Sequence, residues 1–151
     1  MKIALGCDHR GVVAVQSLVS HLAADGHEVE VLGDLTGSVC DYPDSAYAVA
    51  SLVSAGGAER GILICGTGIG MCIAANKVKG IRAALALDEL SAQLSRTHND
   101  ANVLCLSADL IGQILVRRIV DTWVRTPFDG GRHERRLAKI AKIENGQAPN
   151  A

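Results

Sequence analysis

The sequence predicts an α/β fold built on a five-stranded parallel sheet. Two observations carry that expectation. Short apolar runs alternate with longer stretches of helical period, and several of those runs are apolar at every position rather than at every second one. A strand without a polar face must be covered on both sides, and crossover helices between parallel strands supply that cover.

The elements follow in order. Residues 2–8, KIALGCD, read as the first strand, and residues 11–25 place Val15, Leu18, Val19 and Leu22 at helix spacing before Gly26 closes the helix. HEVEVLG at 27–33 is a second strand of alternating character, and a helix over 44–56 opens on an Asp and ends at glycines. RGILICG at 60–66 is the third strand, followed by a helix from Ile69 to Lys77. GIRAALAL at 80–87 is the fourth, with a short helix over 89–96. NVLCLS at 102–107 is the fifth, and an amphipathic helix covers 109–124. A last helix spans about Gly131 to Glu144, ahead of a frayed tail at 145–151.

At 151 residues the chain is one domain, able to bury a core without staples. With 48% apolar and 21% charged residues it has globular composition. Aromatics are only 3%, so Val, Leu, Ile and Ala must build the core. A net charge of −1 provides no electrostatic case for nucleic acid or an anionic membrane as partner. The five cysteines are odd in number and form no CxxC pair, which argues against a disulfide scaffold or zinc site and for a reducing cytosol. No run approaches the ~20 apolar residues of a membrane span, and the opening MKIALGCDHRG does not read as a signal peptide. A cytoplasmic location is expected.

In open parallel sheets ligands bind beyond the carboxyl ends of the strands. The positions to inspect are therefore Cys7 to His9, Thr36 to Asp44, Cys65 to Gly70, Asp88 with Glu89, and Ser107 to Asp109. Cys65 ends the third strand. A cysteine in an apolar strand is ordinarily an inert small hydrophobe, but this one precedes a helix N-terminus, whose aligned N–H groups favour thiolate over thiol. The following GTGIG is either a tight strand-to-helix turn or a nest of converging amides for an anion. It is neither dinucleotide fingerprint nor P-loop: Met71 stands where GxGxxG needs its third glycine, and no GK[ST] follows.

Three further groups have chemical potential beside an ordinary reading. His98 follows the short helix, where the helix C-terminus favours its protonated form and a general acid role, and Asn99 adds a donor and an acceptor. Arg132 and Arg136 stand four apart on one face of the last helix, a repulsive spacing unless an anion such as phosphate lies between them. A solvated basic face is the plainer alternative. Asp8 and His9 can be a turn and helix cap or a proton shuttle beside sugar oxygens, and Tyr42, in a loop, can flank a sugar or pack the loop.

Taken together, IALGCDHRG, DYPD, GILICGTGIGMCIAANKVKGIRAAL, SAQLSRTHNDANVL and GGRHERRL resemble the type B ribose-5-phosphate isomerases, in the group that also holds galactose-6-phosphate isomerase subunits. The resemblance implies a Rossmann-like three-layer sandwich and a homodimer, alone or paired into a tetramer, with shared active sites. It implies no metal or organic cofactor, and interconversion of ribose and ribulose 5-phosphates through a cis-enediolate. It assigns Cys65 as base at carbon 2 and the backbone of Gly66, Thr67, Gly68, Ile69 and Gly70 as holder of the enediolate oxygens. His98, with Thr67 nearby, would open the sugar ring. Asp8 and Asn99 would contact hydroxyls, Tyr42 would line the pocket, and His9, Arg132 and Arg136 would bind phosphate.

Some relatives use a glutamate after the glycine loop; GMCIAANK has no acid, so this chain sides with the cysteine users. Many carry an arginine where this chain has Asp109, a helix N-cap candidate whose carboxylate would repel phosphate. Two alternatives follow: the same chemistry on a four-carbon erythrose or erythrulose phosphate or on allose or galactose 6-phosphate, or a non-catalytic phosphosugar-binding module in which Cys65 is core packing.

Overall fold

A computed structural model describes residues 1–150. Five strands, β1 (Lys2–Cys7), β2 (Glu28–Leu32), β3 (Arg60–Cys65), β4 (Ala83–Leu85) and β5 (Val103–Ser107), form one sheet in the order β2-β1-β3-β5-β4. Every pairing is parallel, with Leu5 opposite Ile62 and Ile62 opposite Leu104 across the middle. The helices are α1 (Val12–Ala24), α2 (Tyr42–Ser54), α3 (Ile69–Ala75), α4 (Glu89–Asn99), α5 (Gln113–Arg125) and α6 (Arg132–Glu144).

Side chains alternate across the pleat, so the continuous apolar runs split into two cores. Ile3, Leu5, Ile62, Ile64, Leu104 and Leu106 face α1 and α5, where Leu18, Ile119 and Trp123 meet them. Ala4, Leu63, Cys65, Val103 and Cys105 face α2 and α3, against Val49, Ala50 and Met71. Small residues on that second face let the helices sit close: a Cβ on Gly61 would lie 2.7 Å from Val49. The three layers are those the sequence predicts.

Several boundaries differ, each for a local reason. The second helix begins at Tyr42 because Pro43 lies in its first turn, a position where its missing N–H costs nothing. The fourth runs past residue 96 to Asn99, so His98 and Asn99 are helical rather than loop residues. It starts on an Asp88–Ser91 capping box and closes on Asp100 in the left-handed region, paired with Arg96 at 2.8 Å. The fifth starts at Gln113 behind Gly112, which leaves Asp109 in the loop and not at the N-cap. The fourth strand shrinks to three residues at the sheet edge.

The polarity of each element decides where it ends. All strands finish at one edge of the sheet, whereas α4 and α5 run back toward the other. Asp129 N–H donates to Thr97 O at 3.1 Å, which ties the loop before α6 to the end of α4. The last helix buries only His133 and exposes Ile140 and Ile143. Of the C-terminal tail expected to fray, residues 145–150 are described and Ala151 lies outside the described residues.

Ile62 is fully buried in the central strand. Ile62→Ala is expected to cost about 2–5 kcal/mol, read as a drop in the urea midpoint; a change below ~0.5 kcal/mol, the size of a neutral surface substitution, would remove β3 from the core.

Candidate active site

The glycine loop is shaped by what it must avoid. Gly68 adopts φ +76°, and a Cβ there would stand 2.6 Å from Leu85 Cδ1 and 2.9 Å from the carbonyl of Leu106. Only glycine fits. That conformation turns the Gly68 N–H toward Cys65, where it donates to Sγ at 3.1 Å. Cys65 is 4% exposed at the end of β3. Thr67 Oγ1 accepts from Ile69 N–H at 3.3 Å, and the N–H groups of Gly70 and Met71 fall in the first turn of α3, which a helix leaves without acceptors of its own.

Neighbouring strand ends pack onto this loop. Ser107, fully buried, donates from Oγ to Gly66 O at 2.6 Å. A Cβ on Gly70 would lie 2.7 Å from the Tyr42 ring, so Tyr42 sits against the loop from the first turn of α2. Asp8 is 7% exposed, and its Oδ1 accepts from Arg10 N–H at 2.9 Å. It caps a turn rather than a helix, since the N-cap of α1 is Gly11. His9 Nδ1 is buried with no hydrogen-bond partner among the described residues, an atom left available for an incoming polar group. Asp109 pairs with Arg10 at 2.7 Å.

The remaining predicted residues gather elsewhere. His98 stacks on His133 with ring centroids 4.3 Å apart and planes 9° from parallel. Arg132 Nε donates to His133 Nε2 at 3.3 Å. Burial pushes the His133 pKa down, helped by His98, Arg132 and Arg136 and opposed by Asp129. The sequence reading missed His133, whose one signal is its place between glycines and arginines in GGRHERR. Asn99 borders a hollow of about 230 Å³ lined also by Asn76, Arg82 and Ile140.

These two groups do not meet within one chain. The eleven residues of α4 span about 16 Å, and they carry His98 from the strand-end edge to the opposite one. Cys65, Thr67, Asp8, His9 and Tyr42 belong to the first edge; His98, Asn99, Arg132 and Arg136 belong to the second.

A second thiol also escaped the sequence reading. Cys72 is half-buried on α3, and its pKa falls to about 7 because Cys105 donates a hydrogen bond to it, with burial opposing. Asn76 Nδ2 stands 3.7 Å from its sulfur. Two groups offer three metal-ligand atoms within 4.8 Å of one another: His98, Asp129 and His133, and His21, Asp25 and Asp121. Members of both already bond each other or arginine, as in His21–Asp121 at 2.6 Å and Arg125–Asp25 at 3.0 Å.

Residues 3–140 match the family model described as Ribose/Galactose Isomerase. The chain is 47% identical over 143 residues to ribose-5-phosphate isomerase B of Escherichia coli, covering 95% of this chain and 96% of that one. It is 41% identical over 146 residues to D-erythrulose-4-phosphate isomerase of Pectobacterium atrosepticum, covering 96% of each. It also superimposes on ribose-5-phosphate isomerase B from Mycoplasma genitalium with bound ribulose-5-phosphate, with a TM-score of 0.92, 42% identity, and coverage of 95% of this chain and 96% of that one.

Gly68→Ala is expected to destabilise the fold by at least ~1–2 kcal/mol, the cost of a left-handed L-residue alone, with a steric contribution from Leu106 on top. A variant that melts with the parent would show that the loop tolerates another conformation.

Proposed function

This chain belongs to the ribose/galactose isomerase family, and on that footing we propose that it interconverts D-ribose 5-phosphate and D-ribulose 5-phosphate with Cys65 as the base. It is an aldose–ketose isomerase of the type B class. That membership sets aside the reading of a non-catalytic binding module.

The observation that carries the mechanism is the Gly68 N–H donating to Cys65 Sγ. A thiolate is the sulfur form that best accepts such a bond. It removes the proton from carbon 2 of the open-chain aldose; the C–H electron pair becomes the C1–C2 double bond, and the carbonyl pair moves onto oxygen 1. The cis-enediolate so formed carries its charge beside the amides of residues 66–70. Each well-aimed donor there can contribute ~3 kcal/mol to the transition state. The thiol then returns the proton to carbon 1 while the hydroxyl proton passes from oxygen 2 to oxygen 1, which completes the ketose.

Ring opening needs an acid at the ring oxygen, and His98 fits that role from a second copy of the chain. Separation of the two residue groups supports a homodimer, alone or paired into a tetramer, in which Cys65 of one subunit faces His98, Asn99, Arg132 and Arg136 of the other. The last helix, barely buried on its own chain, would reach across. Thr67 would assist ring opening and Asp8 and Asn99 would hold sugar hydroxyls. His9, Arg132 and Arg136 would bind the phosphate, with Tyr42 as the pocket wall. Family membership and the Mycoplasma genitalium complex support the five-carbon substrate. A second reading keeps the chemistry on a shorter sugar phosphate, favoured by the Asp109 carboxylate above Gly66 and by the Pectobacterium atrosepticum relative. Turnover on erythrose, ribose, allose and galactose phosphates separates them; ribose as the poorest substrate would overturn the first.

Cys65→Ala is expected to abolish exchange of the carbon 2 proton with solvent, followed by NMR in deuterated water, while sugar phosphate still binds. Retained exchange removes Cys65 from the chemistry. Mixing inactive Cys65→Ala with inactive His98→Ala subunits, then allowing exchange, should restore about a quarter of the parental activity through hybrid dimers with one intact site. No recovery after demonstrated exchange would place both residues in the same subunit's site.

A further inference from the structure

We infer that the Arg10–Asp109 ion pair is a charge-setting clasp across the mouth of the glycine loop, in which Arg10 is a further specificity-determining cation for a phosphorylated substrate, beside Arg132 and Arg136. The inference rests on the isomerase reading above and extends it to two residues which that mechanism does not use.

The clasp is built into the strand ends. Arg10 is tied through its main chain, whose N–H donates to Asp8 Oδ1 at 2.9 Å. Asp109 N–H donates to Gly66 O at 3.0 Å and to Ser107 Oγ at 3.2 Å. Arg10 Nη2 then meets Asp109 Oδ1 at 2.7 Å, a contact that joins the end of β1 to the end of β5. It passes directly over the end of β3. A Cβ on Gly66 would lie 3.0 Å from Asp109 Oδ2 and 3.9 Å from Arg10 Cγ, so the side chain absent from Gly66 is the room the pair occupies.

Charge gives the two partners different roles. Asp8 and Asp109 put two carboxylates at the edge where the proposed reaction takes in an anionic ester and forms an enediolate. Like charges at such a mouth oppose binding, and Arg10 cancels one of them. A guanidinium has five N–H donors in a planar fork. Arg10 engages Asp109 through Nη2, and its side chain is 56% exposed, so donors remain on the solvent side for phosphate oxygens. Asp109 aims the fork, and Arg10 supplies the attraction. The two residues therefore have opposite electrostatic effects on an anionic ligand even though they share one contact.

That difference in sign is the test. Steady-state kinetics on the sugar phosphate and its dephosphorylated counterpart, together with calorimetric titration of inorganic phosphate, would be run on the parent, Arg10→Ala, Arg10→Lys, Asp109→Asn and the Arg10→Ala/Asp109→Asn double variant. Arg10→Ala is expected to raise KM for the phosphate ester ~10-fold, the size of one charge-assisted hydrogen bond, with little change for the free sugar. Arg10→Lys should recover part of the loss. Asp109→Asn, which keeps an acceptor but drops the charge, should leave KM unchanged or lower it, and adding it to Arg10→Ala should recover affinity. A purely structural clasp would instead make Asp109→Asn as harmful as Arg10→Ala, on both substrates and in melting temperature, and that result overturns the inference. So does an Arg10→Ala variant with parental KM. Phosphate titration keeps the two readings apart: a parent that binds phosphate through Arg10 but turns over no sugar phosphate would sink the isomerase reading and leave the clasp standing.

Discussion

The hydrogen bond from the Gly68 amide to the sulfur of Cys65 is the constraint on which the rest of the site depends. It exists because residue 68 takes a conformation that L-residues avoid, at φ +76°, in a space closed by Leu85 and the Leu106 carbonyl. Those neighbours lie on β4 and at the end of β5, so the loop is pressed into shape by the sheet beside it. One backbone choice thereby brings the Cys65 sulfur and a row of amides to the same point. The remaining glycines answer to side chains instead: Gly66 makes room for Asp109 and Arg10, and Gly70 for Tyr42.

Parallel topology has a second consequence. Every strand delivers its end to one edge, and every crossover helix must return to the other. Residues late in α4, and those that follow α5, are therefore carried away from Cys65 whatever their chemistry. His98 and His133 stack at that far edge with Arg132 beside them. The near edge has the Cys65 sulfur and the glycine-loop amides.

Much of the fold was legible because its causes are local. Continuous apolar runs such as GILIC can only be doubly covered strands, and Val15, Leu18 and Leu22 repeat at helix period, so element types and the parallel sheet follow from pattern. Ends were less legible. Pro43 reads as a loop residue until it is seen in a first turn, and Asp109 reads as a cap until Gly112 takes that place. The thiol and glycine loop were visible as a motif because strand, cysteine and glycines are contiguous. Cys72 was not: the lowering of its pKa comes first from Cys105, 33 positions away on β5.

What the chain determined by itself is the set of parts: five strands, a sulfur at the end of the third, a glycine-rich turn after it, and a histidine and two arginines farther on. Tertiary structure alone decided their grouping. Helix rise and strand direction separate His98 from Cys65, and the meeting of β1 and β5 ends turns Arg10 and Asp109 into a pair. Neither outcome is encoded in spacing, because distance along a chain says nothing about which edge of a sheet a residue reaches. That depends on the direction in which each intervening element runs.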